Sequence, residues 1–264
     1  MRRIVKNSIV ISVILTSNIV AEFKFDKVPT QLTACYVSKI QPIQKVKSKL
    51  IANGFKIVST DRIFKDKIVI TITNDELKAT NSYMATLHIL INNKDNEIRV
   101  QNPSYLADAY VEGYRYGDFK KTLKSLEKVF NTMLLPVLQK KDFTELPYYH
   151  FMFGMPYVDD TIIVSQNVTY PKRKNIAYTL KLPNGSILVG HKLSQNTNNF
   201  LNKIHQSKNA QLLPYESIIK DGEATILDPK YYLPLSLPNL SMHHFMKIAT
   251  TPDSIEKEIE QSYK

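Results

Sequence analysis

Asn184-Gly185 stands between two runs, IAYTLKLP and SILVGHKL, in which apolar and polar residues alternate. Alternation of period two places the apolar side chains on one face of a strand. An Asn-Gly pair adopts the left-handed backbone angles that a tight hairpin turn requires. The stretch therefore predicts a β-hairpin, whose two strands must be antiparallel. A second hairpin is predicted where YMATLHILI and EIRVQN flank the polar turn NNKDN, with Leu87, Ile89 and Ile91 alternating.

The other segments extend this pattern. TACYVSKI reads as a strand. QPIQKVKSKLIANG reads as a helix, with Pro42 near its first turn, Ile43, Val46 and Leu50 on one face and Gly54 as its stop. FKIVSTDRI and KIVITIT read as strands, and PSYLADAY begins a helix. Phe119, Leu123, Leu126, Phe130, Met133 and Val137 recur at helical spacing, with Asp118 placed as the N-cap and Pro136 as the kink or end. KKDFTELP reads as a linker. The second half then supplies YYHFMFGM and DDTIIVSQNV as strands, the Asn-Gly hairpin, a short helix in NTNNFLNKI, a strand in MHHFMK, and a helix capped by Thr251 with Pro252 in its first turn. The expected fold is α+β: two related lobes, each a mainly antiparallel sheet with helices packed on one face. The expected boundaries are 1–21 for a leader, 22–141 for one lobe and 142–264 for the other. Strand-Pro-helix units at CYVSKIQPIQKVKSKL and HFMKIATTPDSIEKEI come in a different order within the two halves, which suggests a permuted duplication.

MRRIVKN followed by SIVISVILTSNIVA and EFKF is a basic start, an apolar run of about a dozen residues and a small residue before charge returns. This is the pattern of a secretory signal peptide, with cleavage expected after Ala21. The run is shorter than the roughly 20 apolar residues of a spanning helix. No later run spans either, so a periplasmic or secreted protein without an integral membrane segment is expected. Cys35 is the only cysteine, which excludes an intrachain disulfide. It is read as a small buried residue on a strand. LTAC imitates a lipoprotein box but does not directly follow the apolar run. The formal net charge is +11, with basic runs at Lys45, Lys47 and Lys49, at Lys120, Lys121, Lys124 and Lys128, and at Lys172, Arg173 and Lys174. Export and the lack of an aromatic-basic signature argue against nucleic acid.

GFKIVSTDRI, IVITITNDELKA and YMATLHILINNKDNEIRVQNPSYLA together resemble the bacterial family known as domain of unknown function 302, over roughly residues 32–110. Gly54-Phe55 and Asn102-Pro103 match two of its marks. The resemblance implies an α+β fold and a tendency to pair, so a homodimer is an open alternative. The family's usual His after the Gly-Phe strand is replaced by Asp61 and Arg62, so activity that depends on it is not expected to carry over.

Two readings of function remain. His150 and Met152 share a face if 148–155 is a strand, as do Met242, His244 and Met246 if 242–247 is one. Were those strands neighbours, His150, Met152, His244 and Met246 would form a set suited to Cu(I) or to non-covalent haem. Alternatively the shared vocabulary belongs to two core strands. Asp75-Glu76 and Asp159-Asp160 read as turn residues, and His88 and His191 as sheet histidines. The chain has no nucleophile elbow, Walker loop, GxGxxG or HExxH. The leading expectation is thus an exported module without catalysis, whose small ligand or protein partner meets it in the groove between lobes.

Overall fold

A computed structural model describes residues 19–20, 24–136, 139–172 and 175–264. The strands are β1 (Ile19–Val20), β2 (Gln31–Thr33), β3 (Cys35–Lys39), β4 (Lys56–Phe64), β5 (Lys67–Thr73), β6 (Leu87–Asn92), β7 (Glu97–Gln101), β8 (Leu134–Leu135), β9 (Lys140–Asp142), β10 (Thr161–Gln166), β11 (Ile176–Lys181), β12 (Ile187–His191), β13 (Tyr215–Lys220) and β14 (Glu223–Leu227). The helices are α1 (Ile43–Ala52), α2 (Asp75–Lys78), α3 (Pro103–Tyr110), α4 (Lys120–Phe130), α5 (Gln195–Asn198), α6 (Phe200–Lys203), α7 (Pro229–Ser236), α8 (Met242–Lys247) and α9 (Thr251–Glu260). The fold is α+β, and the strand pairs among the described residues are antiparallel. The expected leader lies outside the described residues, apart from β1, which pairs with β8.

One sheet runs β1-β8-β3-β7-β6-β5-β4 and the other β10-β14-β13-β12-β11. Numbered within its own half, each contains five strands in the order 1-5-4-3-2. The two halves therefore repeat the same topology without permutation. The register repeats too. β4 and β11 each bulge at the same place, between Ile57 and Ser59 and between Ile176 and Tyr178. Each half ends its last strand at an Asx-Pro step that starts a helix. The Asn102 side chain accepts from Ser104 N at 3.0 Å, and the Asp228 side chain from Lys230 N at 2.7 Å. The resulting helices α3 and α7 exchange hydrogen bonds: Tyr105 donates to the Leu235 carbonyl at 2.8 Å and Tyr231 to the Ala109 carbonyl at 3.3 Å. These tyrosines hold equivalent positions, so an approximate two-fold axis passes between the halves.

Several expectations are corrected. Residues 148–155 are not a strand: a 3₁₀ turn at Leu146–Tyr148 leads into bends, with Gly154 at φ +78°. Pro147, Gly154 and Pro156 deny the segment a regular ladder. MHHFMK is the helix α8, because the Ser241 hydroxyl accepts from His244 N at 3.3 Å and caps it. The permuted correspondence that relied on this strand falls with it. α4 ends at Asn131, whose φ of +60° stops it five residues before Pro136. Asp118 accepts from Arg115 N at 2.7 Å and closes a turn rather than capping α4. KKDFTELP is not merely a linker, since Lys140–Asp142 forms β9 and pairs with β2. Most buried apolar side chains of both sheets belong to one continuous cluster, from Val46 and Leu50 of α1 to Ile255 and Ile259 of α9, and a smaller one forms around Tyr178, Leu180 and Leu188.

Cys35 is fully buried, 2.9 Å from Gln139 Oε1 and 3.7 Å from Arg99 Nη1. Burial pushes its thiol up to about 11, against the pull of Arg99. Thiolate is the reactive form, so the native protein should not react with a disulfide reagent at pH 8. One equivalent should appear on unfolding in urea. Rapid labelling of the native chain would place the thiol elsewhere.

Candidate functional site

Three constellations of polar side chains stand out, the first and third of them where the halves meet. The first is on the approximate axis. Counting back from the two Asx-Pro steps along the paired strands, His88 of β6 and Glu216 of β13 occupy equivalent positions. His88 Nε2 lies 3.4 Å from Glu216 Oε1. His88 Nδ1 is 2.9 Å from the Gln211 carbonyl, which only accepts, so Nδ1 carries a proton. Glu216 Oε1 also accepts from Thr86 Oγ1 at 2.5 Å and from the Tyr178 hydroxyl. Beside the carboxylate a cavity of about 20 Å³ is walled by Tyr83, Tyr110, Tyr215, Tyr232 and Gln101. That is room for roughly one water. Burial raises the Tyr110, Tyr178, Tyr215 and Tyr232 phenols well above their usual range; Tyr178, Tyr215 and Tyr232 donate, and the buried Tyr110 hydroxyl has no partner. His88 is only 2% exposed, and the geometry ties the lobes together rather than admitting a substrate.

The second constellation has the outline of a nucleophile and its base. His191 Nε2 lies 2.7 Å from Ser217 Oγ, and Nδ1 lies 3.1 Å from Ser262 Oγ. Tyr263 closes the network at 2.5 Å from Ser217 Oγ. Burial pushes His191 down to about 3, which makes the imidazole a weak base. Ser217 and His191 are both inaccessible. The network fastens the C-terminal turn to the second sheet.

The third is open. A cleft of about 250 Å³ lies between β4 of the first half and the β12–α5 corner of the second. Asp61 on its wall is buried, with Oδ1 3.1 Å from Lys192 Nζ and Oδ2 accepting from Ser59 Oγ at 2.5 Å. Arg62 and Lys192 are at the exposed side. Gln195 and Asn198 of α5 complete the wall. Asn198 Nδ2 donates to the Leu193 carbonyl at 3.2 Å, while its buried Oδ1 has no partner. Buried polar atoms are normally satisfied, so this acceptor marks a place for a ligand or a water. The register equates Asp61 with Leu180 and Ser59 with Tyr178 in the second half. There Tyr178, Leu180, Leu182 and Leu188 pack with Ala85 into a small apolar cluster. One of the two equivalent corners is thus charged and open, and the other is filled.

The residues expected at a metal site are placed differently. Phe151 and Phe245 stack with centroids 5.2 Å apart, so the two segments do meet. His150 is half-buried against the Tyr157 ring at 4.7 Å, with Nδ1 unpartnered. Met152 is half-buried on an irregular turn. His244 Nδ1 lies 3.2 Å from Ser241 Oγ, and Met246 is largely exposed. On a helix, residues two apart project about 200° from each other, so His244 and Met246 do not share a face. Among the described residues no group of three or more His, Cys, Asp or Glu side chains could hold a metal ion.

Asp108 on α3 is a further buried carboxyl: it is 5% exposed, Oδ2 has no partner, and burial pushes it up to about 7. The unfolded chain releases this proton near pH 4 and the folded one only near 7. The folded state therefore binds more protons between those values, and stability should fall as pH rises across them. Asp108→Asn should flatten that slope and raise the urea midpoint at pH 8 relative to the parent. Equal midpoints of the two proteins at pH 8 would contradict this.

No family model, no curated protein and no solved structure matches this chain.

Proposed function

We propose that this is an exported binding module, without catalysis of its own, whose small polar ligand enters the cleft between β4 and the β12–α5 corner. The observation that carries this reading is the cleft itself. It pairs a buried carboxylate, Asp61, with a half-exposed cation, Lys192, beside an unpartnered buried acceptor on Asn198. Such convergent polar groups in a concave site are what small-molecule recognition uses. The contrast within the chain supports it, since the equivalent corner is filled by Tyr178 and Leu180. The candidate nucleophiles Cys35 and Ser217 are sealed in the core, which favours binding over turnover. Export rests on the MRRIVKN start and the apolar run after it. Among the described residues no helix is long and apolar enough to cross a membrane.

Lys192→Met tests the cleft by removing the cation that lines it. It leaves Asp61 without its ionic partner, and a destabilisation of about 1–2 kcal/mol is expected. That is less than for a fully buried pair, because the lysine is half in water. Titration of ¹⁵N-labelled protein with mixtures of small polar compounds should move the resonances of Arg62, Lys192, Gln195 and Asn198 before others. Shifts confined to other surfaces would reject the cleft. Cell fractionation with intact-mass analysis tests export, and a cytoplasmic full-length product would reject it.

A further inference from the structure

We propose that the ligand of this cleft is a small zwitterion, with an ammonium group and a carboxylate one or two carbons apart, bound once per chain by exchange of the Asp61–Lys192 ion pair. The inference rests on the cleft being the binding site. Its wall and its rim have opposite character. The wall offers acceptors: the Asp61 carboxylate, 5% exposed, and Asn198 Oδ1, whose orientation is fixed because Nδ2 is held by the Leu193 carbonyl. The amide nitrogen of Gln195 is likewise committed, donating to the Ile63 carbonyl at 2.9 Å. The rim offers one cation, Lys192, 52% exposed on a flexible stem; the guanidinium of Arg62, the next residue along β4, donates instead to the Lys65 carbonyl at 2.5 Å.

Three classes of ligand can be compared on this arrangement. A bare anion that draws Lys192 away leaves Asp61 buried and unpaired. A bare cation that takes Asp61 leaves Lys192 without its partner. The first penalty is large because the carboxylate is buried, and the second small because the lysine is half in water. A zwitterion avoids both penalties. Its ammonium replaces Lys192 on Asp61 and donates a further N–H to Asn198 Oδ1, while its carboxylate takes the released Lys192. Every charge stays paired, and the orphaned acceptor gains a donor. The volume of about 250 Å³ falls below the roughly 300–1,000 Å³ of drug-sized sites, which limits the ligand to a small molecule. Leu180 and Tyr178 in the equivalent corner provide neither charge nor space, so one site per chain follows.

The test is calorimetry together with ¹⁵N spectra of the full chain, using glycine, L-serine, β-alanine, glycine betaine, acetate, methylammonium and glycerol as probes. Free-amine zwitterions should bind one per chain and shift the Asn198 side-chain amide. Betaine, which has no N–H, together with acetate and methylammonium, should bind at least tenfold more weakly. Asp61→Asn should lose binding at least tenfold; Asn198→Leu provides the same check if the first variant folds poorly. Acetate or glycerol moving the cleft resonances as strongly as glycine would overturn the zwitterion while leaving the cleft as the binding site. If no probe moves those resonances, both readings are overturned.

Discussion

Glu216→Leu is expected to lower the stability of the protein by about 3–5 kcal/mol, the cost of removing one member of a buried polar cluster. Glu216 Oε1 is the shared acceptor for Thr86 Oγ1 and the Tyr178 hydroxyl, and His88 Nε2 faces it at 3.4 Å. Removing the carboxylate strands those donors in a region where His88 is 2% exposed. Thr86 Oγ1 and the Tyr178 hydroxyl lose their acceptor, and the buried His88 Nε2, which has no hydrogen-bond partner, loses the carboxylate it faces. His88→Leu combined with Glu216→Leu should recover a substantial part of the loss, because replacing both members of a buried pair by apolar groups is far milder than removing one. Urea denaturation of the two single variants and the double variant forms a cycle. A Glu216→Leu midpoint equal to the parent's would show that the axial pair does not hold the halves together.

Gly190→Ala is expected to destabilise by about 1–3 kcal/mol, and Gly190→Thr by more. The cause is a close approach and not a backbone angle. A Cβ at 190 would lie 2.2 Å from Tyr178 Cε1 and 2.6 Å from Cδ1. That ring has little freedom to retreat, since its hydroxyl is bonded to Glu216 and its face packs in the cluster with Leu180 and Leu188. The first half provides the control. There the equivalent pair is Ser59 and Thr71, a small residue over a larger one. Tyr178→Ser should therefore relieve Gly190→Thr, giving a double variant that melts above the Gly190→Thr single. If Gly190→Ala melts within about a degree of the parent, the aromatic ring is not what requires glycine at this position.

The same comparison shows which parts of the structure can be read locally. The hairpins β6–β7 and β11–β12 follow from alternation and from polar turns, both of which act over a few residues. So do α1 with its Gly54 stop, and α9 with Pro252 in its first turn. The hairpin β13–β14 leaves an equally local signal: Asp221-Gly222, at φ +52° and +83°, joins YESIIK to EATIL. That hairpin is what puts Glu216 on a strand and makes the repeat unpermuted. The helix α8 also left a signal, in Ser241 three residues before His244. Residues 148–155 misled because aromatic and apolar content suggests a strand. A strand exists only where another backbone completes its ladder, and Pro147 and Gly154 prevent that here.

What the amino-acid sequence determined by itself is the hairpins β6–β7 and β11–β12 with their antiparallel pairing, the helices α1 and α9 and the burial of a lone cysteine, because propensity, period and turn geometry are properties of neighbours along the chain. The tertiary structure alone decided which distant residues meet. His88 faces Glu216, Tyr105 and Tyr231 exchange bonds across the axis, and Asp61 finds Lys192, 131 positions away, only because two sheets of the same order pack about a common axis. Strand alternation assigns Asp61 to a face. It takes the second half of the chain, folded against that face, to turn a buried carboxylate into one wall of a cleft.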